Sequence, residues 1–104
     1  MFNVMRYIIN LMIQSFRCKH TAAIFAGRQS RKWPTDFQIL ALRKLMLLDA
    51  AISCNDLRNP PGNRLEKLTG DRSGQWSIRI NDQWRLCFRF EGNNAHDVEI
   101  VDYD

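Results

Sequence analysis

The spacing of apolar residues changes once along the chain, from helical in the first half to alternating in the second. Phe37, Leu40, Ala41, Leu45, Leu48 and Ile52 recur at three- and four-residue intervals, predicting a helix over about Asp36 to Ile52 with one face on a core. Arg43 and Lys44 then fall near its outer edge, and Thr35 with Gln38 has the spacing of a capping box at its start. Upstream, Met12 to Phe16 reads as a short first strand. Cys18 to Ala26 reads as a short helix closed by Gly27, where a left-handed backbone favours glycine. The stretch from Gly27 to Pro34, with Arg28, Arg31 and Lys32, is a basic loop between the helices.

Asn59-Pro-Pro-Gly-Asn63 fits neither a helix nor a central strand, and beyond it the period is two. Trp76, Ile78 and Ile80 point one way, while Gln75, Ser77, Arg79 and Asn81 point the other. Trp84, Leu86, Phe88 and Phe90 alternate likewise with Arg85, Cys87 and Arg89. Asn81-Asp-Gln83 has the length of a hairpin turn, and Gly92-Asn-Asn94 makes a second. Ala95 to Tyr103 is then a third strand, with Val98 and Ile100 opposed to Glu99, Val101 and Tyr103. The expected architecture is α+β: N-terminal helices on one face of a small, mostly antiparallel sheet. The other face should be polar, with Arg79, Arg85 and Arg89 in adjacent rows and Tyr103 beside them.

A chain of 104 residues builds one core, so site and scaffold must share it. Hydrophobic residues at 45% and charged residues at 25% exclude a disordered, fibrous or membrane-spanning chain. Charge is segregated: residues 1–50 hold eight Lys and Arg against two Asp, whereas residues 51–104 hold seven against nine acidic residues. An excess of +6 over the helical half suggests either a polyanionic partner or a solvated basic face. Cys18, Cys54 and Cys87 have no metal-ligand spacing and read as free thiols, so a cytoplasmic setting and no metal or other cofactor are expected. Met1 to Leu11 is apolar, but its uncharged runs fall far short of the roughly 20 residues that span a bilayer. It also lacks the pattern of a secretory signal, and no membrane association is expected.

Arginines on a strand face serve either solubility or phosphate binding, for which a guanidinium offers paired donors and a permanent charge. In Asn63-Arg-Leu-Glu-Lys-Leu68, Leu65 and Leu68 look buried and Arg64, Glu66 and Lys67 polar. Glu66 among these cations is either a surface ion-pair member or a proton acceptor. His20 and His96 read as surface or turn residues. Cys87, set between Arg85 and Arg89, reads as a packing residue rather than an activated thiol.

The run from Asn59 to Gly70, followed by Gly74-Gln-Trp-Ser-Ile78, Asn81-Asp-Gln-Trp-Arg85 and the terminal Asp102-Tyr103, resembles the HigB toxins of the RelE superfamily, particularly the GraT-like branch. The resemblance covers about Met12 to Tyr103. It implies a RelE-like fold and a metal-independent endonuclease that cleaves mRNA in the ribosomal A site. It also implies neutralisation by a helix-turn-helix antitoxin, HigA, commonly in a toxin-antitoxin heterotetramer. In that chemistry a base takes the proton of a ribose 2′-hydroxyl, the oxygen attacks phosphorus, cations stabilise the added charge and an acid protonates the leaving 5′-oxygen.

Carried over by position, Arg85 would stabilise the phosphate, Glu66 would be the base, Tyr103 would stack on or orient the nucleotide, and Asp102 would play a structural or catalytic part. Arg64, Lys67, Arg79, Arg43 and Lys44 are the further candidates for RNA or phosphate binding. The chain departs from the family pattern in ending Asp102-Tyr103-Asp104, where relatives commonly end Asp-Tyr-His. An ordinary aspartate, with a pKa of about 3.9, is ionised at neutral pH and a poor proton donor. Thr69 stands where several relatives place a lysine. A slow nuclease, or a catalytically impaired module that binds ribosome or antitoxin, are the two resulting expectations. A DNA-binding regulator fits the charge but not the motifs. Residues 1–11 precede the usual start of these toxins and read as an extension outside a core domain of residues 12–104.

Overall fold

The computed structural model describes residues 2–3 and 11–102. Two helices, α1 (Lys19–Phe25) and α2 (Thr35–Ala50), lie against a sheet of six strands. These are β1 (Phe2–Asn3), β2 (Ser15–Phe16), β3 (Glu66–Lys67), β4 (Gln75–Arg79), β5 (Trp84–Glu91) and β6 (Asn94–Asp102). Their spatial order is β1-β2-β6-β5-β4-β3, and only β2 with β6 is parallel. The architecture is the expected α+β one.

The alternation in β4 and β5 sets the register: Trp76 opposes Phe88, Ile78 opposes Leu86 and Arg79 opposes Arg85. Ile78, Leu86, Phe88 and Val98 meet Leu45 and Leu48 of α2 in a core where each is fully buried. Removing each such side chain from water contributes about 1.5–3 kcal/mol before entropy is set against it. Trp84 closes one end of this layer, with its ring centroid 5.9 Å from Trp33 and 5.7 Å from Phe37.

Several details differ from the periodic reading. α2 starts after Pro34 rather than through a Thr35–Gln38 capping box. Gln38 is buried instead: its Nε2 donates to the carbonyls of Ser30 and Trp33, and its Oε1 accepts from the Ser30 N–H. That clamp fixes the basic loop. The helix ends at Ala50, so Ile52 stands in solvent at 85% exposure, and Leu40 is 40% exposed. Asp49 turns inward, where its Oδ1 accepts the Ile13 N–H at 3.0 Å and ties the entering chain to α2. The first strand is reduced to Ser15–Phe16 plus a bridge from Ile13 to Ala95.

In β6 the pairing slips by one residue between the Cys87–Glu99 and Arg89–His96 rows, and Asp97 takes φ 55° there. This bulge lets Ala95, Val98 and Ile100 all face the core although simple alternation cannot place all three.

The face expected to be open and polar is partly covered. Ser77 and Cys87 are fully buried and Arg85 is 6% exposed. The segment carrying Arg64 to Arg72 folds over them, and Arg72 reaches across to Glu99 at 2.9 Å. Burial pushes the Cys87 thiol up to about 11, which agrees with a packing role. His20 bonds Ser30 through Nδ1, and His96 lies within β6 rather than in a turn.

Candidate active site

The proline loop builds one wall of the site. Pro61–Asn63 forms a single 3-10 turn, and Asn63 beneath it is fully buried. Its Nδ2 donates to the carbonyls of Leu57 and Asn59, and its Oδ1 accepts from Lys44 Nζ at 2.6 Å. With the turn so anchored, Arg64 takes the left-handed conformation, φ 45° and ψ 60°, at a cost of about 1–2 kcal/mol for a residue with a Cβ. Its carbonyl then accepts from Arg85 Nη2.

Arg85 is gripped from the sheet as well. Its Nε donates to Ser77 Oγ at 2.7 Å, and Nη2 lies 3.3 Å from the Ser77 carbonyl. A buried guanidinium held by several acceptors loses little orientational freedom when an anion arrives.

The antiparallel pairing of β3 with β4 sets Glu66 opposite Ser77, and that of β4 with β5 sets Arg79 opposite Arg85. Glu66, Arg64, Arg79 and Arg85 thereby line one cleft of about 540 Å³, together with Gly62, Asn81 and Asp82. Glu66 is exposed on its short edge strand. Arg79 is paired with Asp82, whose side chain is almost fully in water, so that ion pair holds the arginine only loosely.

The remaining candidates are placed differently. Lys44 stands behind the cleft against Asn63, where burial and then the nearby Arg79 charge lower its pKa. Lys67 turns away, as alternation requires, and sits 5.8 Å over the Trp76 ring. Arg43 is exposed on α2 and does not line the cleft. Arg89 is not in a row beside Arg79 and Arg85: it lies opposite Gln75 and is engaged by Glu91 and Asp97. Asp102 ends β6 opposite Trp84, and its Oδ2 accepts from Gln83 of the hairpin turn at 3.1 Å. Tyr103 and Asp104 lie outside the described residues.

Sequence reasoning missed Ser77, Asn63 and Asp82. For Ser77 the one available signal is its position between Trp76 and Ile78, diagonal to Arg85 across the hairpin. Among the described residues no three His, Cys, Asp or Glu side chains cluster as metal ligands would, and no helix is long and apolar enough to cross a membrane.

Residues 14–104 match the profile of the HigB-like toxins, described as RelE-like toxins of type II toxin-antitoxin systems. Among curated proteins the chain is 46% identical over 63 residues to the toxin HigB-1 of Vibrio cholerae, spanning 61% of this chain and 66% of that one. It is 30% identical over 92 residues to the endoribonuclease HigB of Proteus vulgaris, which covers 88% of this chain and 99% of the relative. A Haemophilus influenzae protein is 33% identical over 94 residues, covering 89% and 93% respectively. With the profile spanning the strand half, both helices and every described residue of the cleft, the chain belongs to the HigB-like family of RelE-like toxins.

Proposed function

We propose that this chain is a ribosome-dependent mRNA endonuclease that arrests translation and is held in check by a helix-turn-helix antitoxin of the HigA kind, in a heterotetramer. The observation that carries the reading is the cleft in which the carboxylate of Glu66 shares a wall with Arg64, Arg79 and the fixed guanidinium of Arg85. An endonuclease acting through the ribose 2′-hydroxyl needs a base and a cation at one phosphate, and needs no metal to supply them.

Glu66 takes the proton of the 2′-hydroxyl, the 2′-oxygen bonds to phosphorus, and the bond from phosphorus to the 5′-oxygen breaks. The products are a 2′,3′-cyclic phosphate and a 5′-hydroxyl once the leaving oxygen is protonated. Arg85, with Arg64 and Arg79, stabilises the charge that builds on the phosphoryl oxygens. Lys44 adds positive potential from behind Asn63. Lys67 and Arg43 bind RNA only outside the cleft. Asp102 and Tyr103 keep the family's terminal positions, where the tyrosine stacks on or orients a base.

One observation favours a second reading, that of a ribosome- or antitoxin-binding module with little catalysis: Asp104 stands in place of the family's terminal histidine. The distinguishing experiment is incubation of the purified protein with programmed ribosomes, followed by analysis of the mRNA ends. Fragments ending in a cyclic phosphate, with more of them from Asp104→His, support a nuclease slowed by the loss of its acid. Ribosome binding without fragments supports the module, and fragments bearing a 5′-phosphate contradict attack by the 2′-hydroxyl.

A further inference from the structure

We infer that the face made by α1, the basic loop and α2 is the surface on which the antitoxin docks, through an amphipathic helix carrying an aliphatic stripe flanked by carboxylates. This rests on membership of the toxin family and not on the nuclease reading.

A depression of about 800 Å³ lies between α1 and the basic loop. Phe16, Ala23 and Phe25 wall it, and Lys19, Arg28 and Arg31 rim it. Two smaller depressions continue it toward α2. One shares Phe25 and Ala26 with the first and adds Leu42 and Met46; the other shares Gly27 and Leu42 with that one and adds Ile39. Ile39 and Met46 stand two helical turns apart on α2, 52% and 59% exposed. An aliphatic strip left in water at that spacing is what a partner helix covers.

The charges point to the partner's chemistry. Among the described residues, Lys19, Arg28 and Arg31 make no ion pair, whereas Arg72, Arg79 and Arg89 of the strand half are each engaged by a carboxylate. Residues 1–50 contain only two acids, and one of them, Asp49, is buried against the Ile13 N–H. A partner with acidic residues beside its apolar stripe supplies the missing carboxylates. RNA would satisfy the cations but gains little from the side chains of Ile39, Leu42 and Met46, which offer neither hydrogen bonds nor stacking surfaces. These depressions share no lining residue with the cleft, so substitutions here leave the proposed catalytic groups in place.

The test combines hydrogen exchange on the full chain with and without its antitoxin and antitoxin affinities of the exposed-site variants Met46→Glu and Arg28→Glu. Protection over residues 19–31 and 39–46, with Kd weakened at least about tenfold in both variants, is the expected result. Free Met46→Glu should still match the parent on ribosomes, whatever rate the parent shows. Protection concentrated on residues 62–85, or affinities unchanged by both substitutions, overturns the assignment. So does a loss confined to Arg28→Glu together with competition by single-stranded RNA, which would make the face a nucleic-acid site. Failure to form any antitoxin complex removes the docking proposal while leaving the cleavage experiment intact.

Discussion

Arg85 exchanges most of its water for Ser77 Oγ and the Arg64 carbonyl, and the geometry of the cleft depends on that exchange. Taking away the serine hydroxyl leaves a buried charged donor short of an acceptor, a defect worth about 1–3 kcal/mol. Ser77→Ala should therefore slow cleavage roughly tenfold or more with little change in ribosome affinity, and Ser77→Thr, which keeps the hydroxyl, should recover part of the rate in single-turnover assays. Cys87 gives a pH signature. Its thiol titrates at about 11 when folded against an ordinary 9.0, so the folded state keeps a proton that the unfolded chain has released. Its contribution to stability is thus complete below pH 9 and is lost as the pH rises through 11. Native protein at pH 8 should be alkylated by iodoacetamide at Cys18 well before Cys87, and denaturant should abolish the difference. Alternation put Arg79 and Arg85 on one face of the sheet but in adjacent rows rather than the shared row they occupy, and family resemblance singled out Glu66. It did not reveal that Ser77, Arg85 and Cys87 are buried, because their cover is an irregular segment with no period to read.

At the scale of elements, hydrophobic spacing identified both helices and the β4–β5–β6 meander, because each buries one face on a single core. It ran α2 two residues too far, to Ile52, and misread the polar residue near its start. Gln38 is that residue: a side chain of capping-box type is spent on holding the basic loop with three hydrogen bonds. Gln38→Ala should cost about 2–3 kcal/mol in urea denaturation, since it orphans buried backbone groups of Ser30 and Trp33. The bulge at Asp97 was equally hidden, since one extra residue in β6 reverses the facing of everything before it. The two-residue strands β2 and β3 are too short to show a period, although β3 presents Glu66 to the cleft.

At the scale of the molecule, and among the described residues, Lys19, Arg28 and Arg31 of the helical face make no ion pair while Arg72, Arg79 and Arg89 of the strand half each meet a carboxylate, so two surfaces of different chemistry share one core. The +6 of the first half left a polyanionic partner and a solvated basic face both open, and charge alone does not say which surface a partner meets. The boundary of the core is a separate matter. Met12 and Ile13 are buried and held by Asp49, while among the described residues β1 adds a two-residue pairing to the sheet edge. A chain beginning at Met12 is expected to unfold within about 4 °C of the full chain, as a difference of less than about 1 kcal/mol would give. A much larger fall would show that residues 1–11 belong to the folded unit.

The most direct test of the central claim is the single-turnover rate at which the parent, Arg85→Ala and Glu66→Gln cut a defined mRNA on programmed ribosomes, each variant first shown to be folded by circular dichroism. The account predicts cleavage by the parent and a loss of about 10²-fold or more in each variant, with ribosome binding kept. Folded variants that cut as fast as the parent would contradict it and place the chemistry outside this cleft.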